Sequence, residues 1–264
     1  DIRYFTGDTL DYKEKVGISA KIIGSPDDFN IKKLTVSYQD MINLDLTAQI
    51  KDLPAFEDPS FDIKIKNLYT NVEKIKDLTI PGKEDFLEGL PEELEVIKNL
   101  NYKGISKGRY SNFNSKGELT GNFGTIELNA LTKNDSLNGL NVQGNITGTE
   151  LDLANTFENN DLGKLSFKQE IDFSYLKSKK IKLKTLGTVD EFTFKNFKYT
   201  EVDLYAELFD KKVDSLSVKI DQEDVKADIS GNIDLIPGIP EFNIILDVDK
   251  ANLKKMNLDS AEYE

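Results

Sequence analysis

The chain contains no cysteine, no histidine and no tryptophan, and only two methionines in 264 residues. Losing thiol and imidazole together removes thiolate chemistry, most zinc sites and the usual general base. A serine nucleophile has no histidine to activate it, and no disulfide exists from which to read a redox compartment. Long apolar runs are missing too. None approaches the roughly 18 residues of a membrane helix, and no signal-peptide pattern follows Asp1. A Ser–Lys pair or two facing carboxylates remain as chemical alternatives, but no serine stands out and the acids are spread along the chain. The expectation is a protein that is not an enzyme and needs no cofactor.

What is present is 38% hydrophobic and 31% charged residues, with a net charge of -13. Lys and Asp/Glu are interleaved rather than blocked, so the surface repels a phosphate backbone and nucleic acid is not an expected partner. The acidity serves solubility. The densest acidic spots are Asp221 to Asp224 and Asp247 to Asp249. Calcium is the one metal such oxygen ligands suit, yet the spacing is not that of a calcium loop, so both read as solvated turns or strand ends. Gly104 to Gly108 has the wrong spacing for a phosphate cradle and reads as a turn.

The dominant signal is alternation with period two. Phe61, Ile63 and Ile65 alternate with Asp62, Lys64 and Lys66; Leu165, Phe167, Ile171, Phe173 and Tyr175 share one parity opposite Ser166, Lys168, Glu170, Asp172 and Ser174. Val202, Leu204, Ala206 and Leu208 follow, then Leu216, Val218 and Ile220. Val225, Ala227, Ile229, Ile233 and Leu235 come next, and last Phe242, Ile244, Leu246 and Val248. Successive side chains of a strand point to opposite faces, so each segment has one dry face and one wet face. Parallel strands, buried on both faces, would read as continuous apolar runs, so the sheet is antiparallel. Short turn-like breaks at Ser178 to Lys180, Asp210 to Lys212, Asp221 to Asp224 and Pro237 to Pro240 join sequential neighbours into a meander. About ten strands at ~4.8 Å each would make a surface about 50 Å long.

Helical signal is scarce. Between Pro81 and Leu100, Phe86, Leu87, Leu90, Leu94 and Ile97 recur at threes and fours, interrupted by Gly89 and Pro91; two short helices or a kinked one are expected. Thr149 to Asn160, anchored by Leu151, Leu153 and Phe157, and Ala251 to Leu258 read as short helices or as loops with apolar anchors. The organisation is then a β-rich segment (1–80), a short helical plug (81–100) and continued antiparallel sheet (101–264). The start at Asp1 without an initiator Met suggests a piece of a longer protein. A small pattern (apolar, any, Gly, Asn, apolar) recurs at Leu119 to Phe123, Val142 to Ile146 and Ile229 to Ile233. Gly inside a strand permits a bulge or sharp coil, which would help curl the sheet, although Gly-Asn also marks turns.

Two stretches resemble the TamB family of AsmA-like translocation and assembly proteins, in particular its Bacteroidota-type members. The first runs from Leu90 to Leu131, where a short helix leads into strands carrying Gly104, Gly108, Leu119, Thr120, Gly124, Ile126 and Asn129. The second runs from Gly187 to Leu258 and carries Tyr199, Val202, Leu204, Ala227, Gly231, Asp234, Leu235, Ala251, Leu253 and Met256. The resemblance implies an all-β fold with minor α: a long, curved antiparallel meander forming a trough with an apolar interior. It implies a periplasmic location, within an inner-membrane-anchored protein of a Gram-negative bacterium. An outer-membrane β-barrel (TamA-like) partner would be reached through parts outside this chain. The implied roles are outer-membrane protein assembly and passage of phospholipid between membranes.

Alternation alone supplies a dry face and favours a closed sandwich or barrel, in which case the chain would be a non-catalytic interaction or adhesin-like module; the resemblance reverses that preference. With the face open, the lipid-groove candidates are Leu204, Leu216, Val218, Ile220, Ala227, Ile229, Ile233, Leu235, Phe242, Ile244 and Leu246. Phospholipid would be the ligand, and no catalytic or metal residues are expected.

Overall fold

The computed structural model describes residues 16–25, 27–53, 58–75, 97–135, 139–236 and 239–258. The order begins with β1 (Val16–Ser25), β2 (Asp28–Tyr38), β3 (Ile42–Lys51), β4 (Ser60–Asn71) and one helical turn, α1 (Val72–Ile75). Next come β5 (Asn99–Arg109), β6 (Asn112–Gly121), β7 (Gly124–Asp135), β8 (Gly139–Asp152) and a second helical turn, α2 (Leu153–Thr156). β9 (Leu162–Leu176), β10 (Ile181–Phe194), β11 (Phe197–Phe209), β12 (Lys212–Asp221), β13 (Val225–Asp234) and β14 (Glu241–Ala251) follow. All fourteen strands form one antiparallel sheet whose spatial order is the sequence order. At ~4.8 Å per step, the thirteen neighbouring pairs extend the sheet to about 60 Å.

The meander follows from the turns. Lys195 and Asn196 join β10 to β11 with φ of 48° and 62°, the doubly left-handed geometry whose twist matches a two-residue hairpin. The turn clusters at Ser178 to Lys180, Asp210 to Lys212 and Asp221 to Asp224 each fall at a hairpin between consecutive strands.

No second layer covers the sheet among the described residues. Each strand makes extended contact only with its sequence neighbours. Among the described residues only eight apolar ones are buried and no large side chain is fully buried, whereas a sandwich would hide a two-sided core. The architecture is therefore an open sheet. Register shifts interrupt most of the strand pairs, including β1–β2, β8–β9, β9–β10 and β13–β14. Bulges of this kind bend the strand that carries them and increase local twist.

Several expectations change. Gly104 to Gly108 lies inside β5 rather than in a turn: Gly104 pairs with Gly117, and the Tyr102 phenol occupies the space above both glycines. That ring fills the gap two missing side chains would leave. Thr149 to Asn160 does contain a helix, but a single turn, with Asp152 accepting from the Asn155 N–H at 3.1 Å. Phe157 is 54% exposed and anchors nothing. At Ala251 to Leu258 the loop alternative is the one found: a set of turns closed by Met256 N–H on the Asn252 carbonyl at 3.0 Å and Leu258 N–H on the Leu253 carbonyl at 2.9 Å, with Met256 buried. The 81–100 plug lies almost wholly outside the described residues; Asn99 and Leu100 open β5.

The Gly-Asn pattern has three separate uses rather than one. Gly121 ends β6 before the turn at Asn122, and Gly144 sits mid-strand in β8 where the β7–β8 register is regular. Gly231 has φ of 154° and faces the β12 register shift between Val213 and Leu216.

Gly187 on β10 shows how tightly the strands meet: a Cβ there would lie 2.1 Å from the Lys168 carbonyl oxygen. Gly187→Ala should lower stability by about 1–3 kcal/mol through this overpacking. Urea titration checks it, and an unchanged midpoint would contradict the close approach.

Candidate functional site

Followed in register, one line of residues crosses the whole sheet. On β1 to β7 it runs through Ala20, Leu34, Leu46, Ile65, Gly104, Gly117 and Leu128. On β8 to β14 it continues through Ile146, Gln169, Gly187, Leu204, Val218, Ile229 and Leu246. Gln169 is its only polar side chain. The neighbouring line on the other face is the reverse: Lys103, Glu118, Glu127, Thr147 and Lys168 pair onward to Thr188, Asp203, Lys219, Asp228 and Asp247. Paired residues share a face, so alternation in each strand adds up to one dry and one wet surface.

The wet face is laced by ion pairs. Lys103 meets Glu118 at 2.7 Å, Lys168 meets Asp190 at 2.8 Å and Lys184 meets Glu207 at 3.0 Å. The Tyr205 hydroxyl donates to Glu207 Oε1 at 2.6 Å, which, with Lys184, holds the Glu207 carboxyl below its ordinary range. Exposed pairs contribute about 0–1 kcal/mol each, so they define register more than they hold the sheet. The acidic spots behave likewise: Asp224 pairs with Lys255 at 2.8 Å and Asp221 with Lys226 at 3.7 Å.

On the dry face, β8 to β13 and Leu153 of α2 enclose a trough of 820 Å³. Its walls come from Leu165, Phe167, Ile171 and Phe173 on β9, from Leu183, Val189, Phe192 and Phe194 on β10, and from Val202 and Leu204 on β11. Val218, Ile220 and Ile229 close the far side. The Phe167 ring lies over Gly148, as Tyr102 lies over its glycines. Among the described residues no Asp, Glu, Lys or Arg lines the trough, and Gln169, Thr185 and Tyr199 carry its only polar side-chain atoms. Thr185 Oγ1 donates to Gln169 Oε1 at 3.0 Å. Gln169 is 7% exposed, and its Nε2 has no partner. Burial pushes the Tyr199 phenol up from 10.0. Apart from these three polar side chains, the described lining is hydrocarbon.

Of the sequence candidates, Leu204, Val218, Ile220 and Ile229 line the trough. Leu216, Ala227 and Ile233 share its face by register. Phe242, Ile244 and Leu246 extend that face onto β14, where they are 66%, 41% and 61% exposed. Leu235 falls beyond β13 in the connection, its N–H on the Lys211 carbonyl.

Phe192, Phe194 and Tyr199 were not legible as trough residues because of a paired bulge. Val189 pairs with Val202 and Glu191 with Thr200, so Asp190 and Glu201 are skipped together, Glu201 at φ 53°. The dry parity changes from odd (Leu183, Val189) to even (Phe192, Phe194) on β10, and from odd (Tyr199) to even (Val202) on β11. An aromatic cluster results, with Phe192 and Tyr199 centroids 6.1 Å apart and Phe197 and Tyr199 at 4.8 Å. Gln169 did carry a signal: it occupies the odd parity of Leu165, Phe167, Ile171 and Phe173, where a polar residue is out of pattern.

No family model, curated protein or solved structure matches the chain.

The raised Tyr199 value has a pH consequence. A phenol kept neutral in the fold contributes stability that is present below the unfolded value and is lost as pH rises through the folded one. The urea midpoint of the wild type should therefore fall more steeply above pH ~10 than that of Tyr199→Phe. Parallel curves for the two proteins would contradict burial of that ring.

Proposed function

We propose that the chain is a non-catalytic segment of a periplasmic scaffold in outer-membrane biogenesis, holding or conducting phospholipid acyl chains along its dry face. The observation that carries this reading is the in-register line across the fourteen strands, non-polar at every member but Gln169, on a face that no second layer covers among the described residues. Each CH₂ kept from water is worth about 0.8 kcal/mol, so a chain of about sixteen carbons gains on the order of 12 kcal/mol against such a surface. Movement needs many near-equivalent sites, since one deep site would trap the lipid. Leu, Ile and Val recur in register on nine of the fourteen strands, from Leu34 on β2 to Leu246 on β14, which favours such near-equivalence.

The resemblance of Leu90 to Leu131 and Gly187 to Leu258 to the TamB family supports the cellular setting. In that setting the protein is anchored at the inner membrane and meets an outer-membrane barrel through other parts, with help to outer-membrane protein assembly as an associated role.

Photocrosslinking amino acids placed at Phe173, Leu204 and Ile229 should capture phospholipid in cells, while the same probe at Lys219 or Asp228 on the wet face should not. Equal capture on both faces, or none at any dry-face position, would sink the proposal.

A further inference from the structure

Gln169 is out of place in its surroundings. It is the one polar residue in a line otherwise made of Ala, Leu, Ile, Val and Gly, and it is 7% exposed on the floor of the trough. Thr185 Oγ1 donates to its Oε1 at 3.0 Å, which leaves the nitrogen as the end without that partner. The nitrogen is shut off from solvent and donates to nothing. Buried donors in native proteins are nearly always paired, and an orphan calls for an explanation. Its in-register neighbour on β10 is Gly187, so no side chain on that strand stands level with it to block rotation of the amide.

The geometry points to Gln169 as a polar anchor for the ligand of the trough: its Nε2 turns out to donate a hydrogen bond to the neutral ester carbonyl of an acylated lipid. This rests on the lipid-holding reading and adds the chemistry by which the trough recognises its occupant. Two features select the carbonyl. The unmet group is a donor, so the ligand must bring an acceptor. Among the described residues no Lys or Arg lines the trough, so a fatty-acid carboxylate would enter unpaired, and an unpaired buried charge is strongly disfavoured. An ester carbonyl accepts a hydrogen bond without carrying charge. Gln169 would then hold the junction between head and tail on β9, with the acyl chain lying against the apolar strands beyond.

Native mass spectrometry with two probes tests this: diacyl phosphatidylethanolamine, and its diether analogue of equal chain length, which lacks the carbonyls. The wild type should bind the ester lipid roughly tenfold more tightly than the diether, the worth of one hydrogen bond in a dry site. Gln169→Met and Gln169→Leu, both suited to the dry face, should lose that preference by weakening the ester lipid and leaving the diether unchanged. Equal binding of the two lipids by the wild type overturns the anchor and leaves the trough reading standing. A preference that survives in Gln169→Met also overturns it. Binding of neither lipid removes the lipid-holding reading and the anchor with it.

Discussion

Across every ladder of this sheet the dry face pairs with the dry face, and among the described residues only one layer is built on that pairing. In most β-proteins a dry face meets a second sheet or a helix. Here the chain places Leu34, Leu46, Ile65, Leu128, Leu204 and Ile229 on one surface, yet each strand makes extended contact only with its sequence neighbours. Backbone ladders hold the fold, and the apolar surface is left for something outside the described residues. Contiguous apolar surface on that scale is what the proposed lipid-holding role would require.

Charge and bulges then act on this constraint in different ways. The wet face interleaves Lys with Asp and Glu, so a strand slipped by one residue would turn charge toward the trough and carbon toward water. The bulges shape the dry face. At Asp190 and Glu201 both strands skip a residue together, which keeps their pairing intact while turning Phe192, Phe194 and Tyr199 inward. Glycines let the surface pack closely and are covered by rings, Tyr102 over Gly104 and Gly117, Phe167 over Gly148.

The parts of this fold that depend on local pattern are legible in the sequence. Alternation in β9 and β11 to β14, and the short polar breaks between them, lead directly to an antiparallel meander. What cannot be read is whatever depends on a neighbour. The opposed bulge needs both strands, since each alone reads as a loss of period. Gly104 to Gly108 looks like a turn until Tyr102 and the facing Gly117 are seen. The segment after Ala251 has apolar spacing for a helix, but Asn252 instead bonds back to the Asp224 carbonyl at 2.9 Å. Openness is the largest such property, because period two is the same for a trough and a sandwich; the absence of a second layer among the described residues distinguishes them here.

Thiol labelling tests the open face most directly, because the chain has no cysteine of its own and each introduced thiol reports one position. Leu204→Cys and Ile229→Cys on the dry face should react with a water-soluble maleimide in native buffer, as should the neighbouring wet-face variants Asp203→Cys and Asp228→Cys. Wet-face thiols that react while both dry-face thiols stay protected until the protein unfolds would show a closed core and contradict the trough.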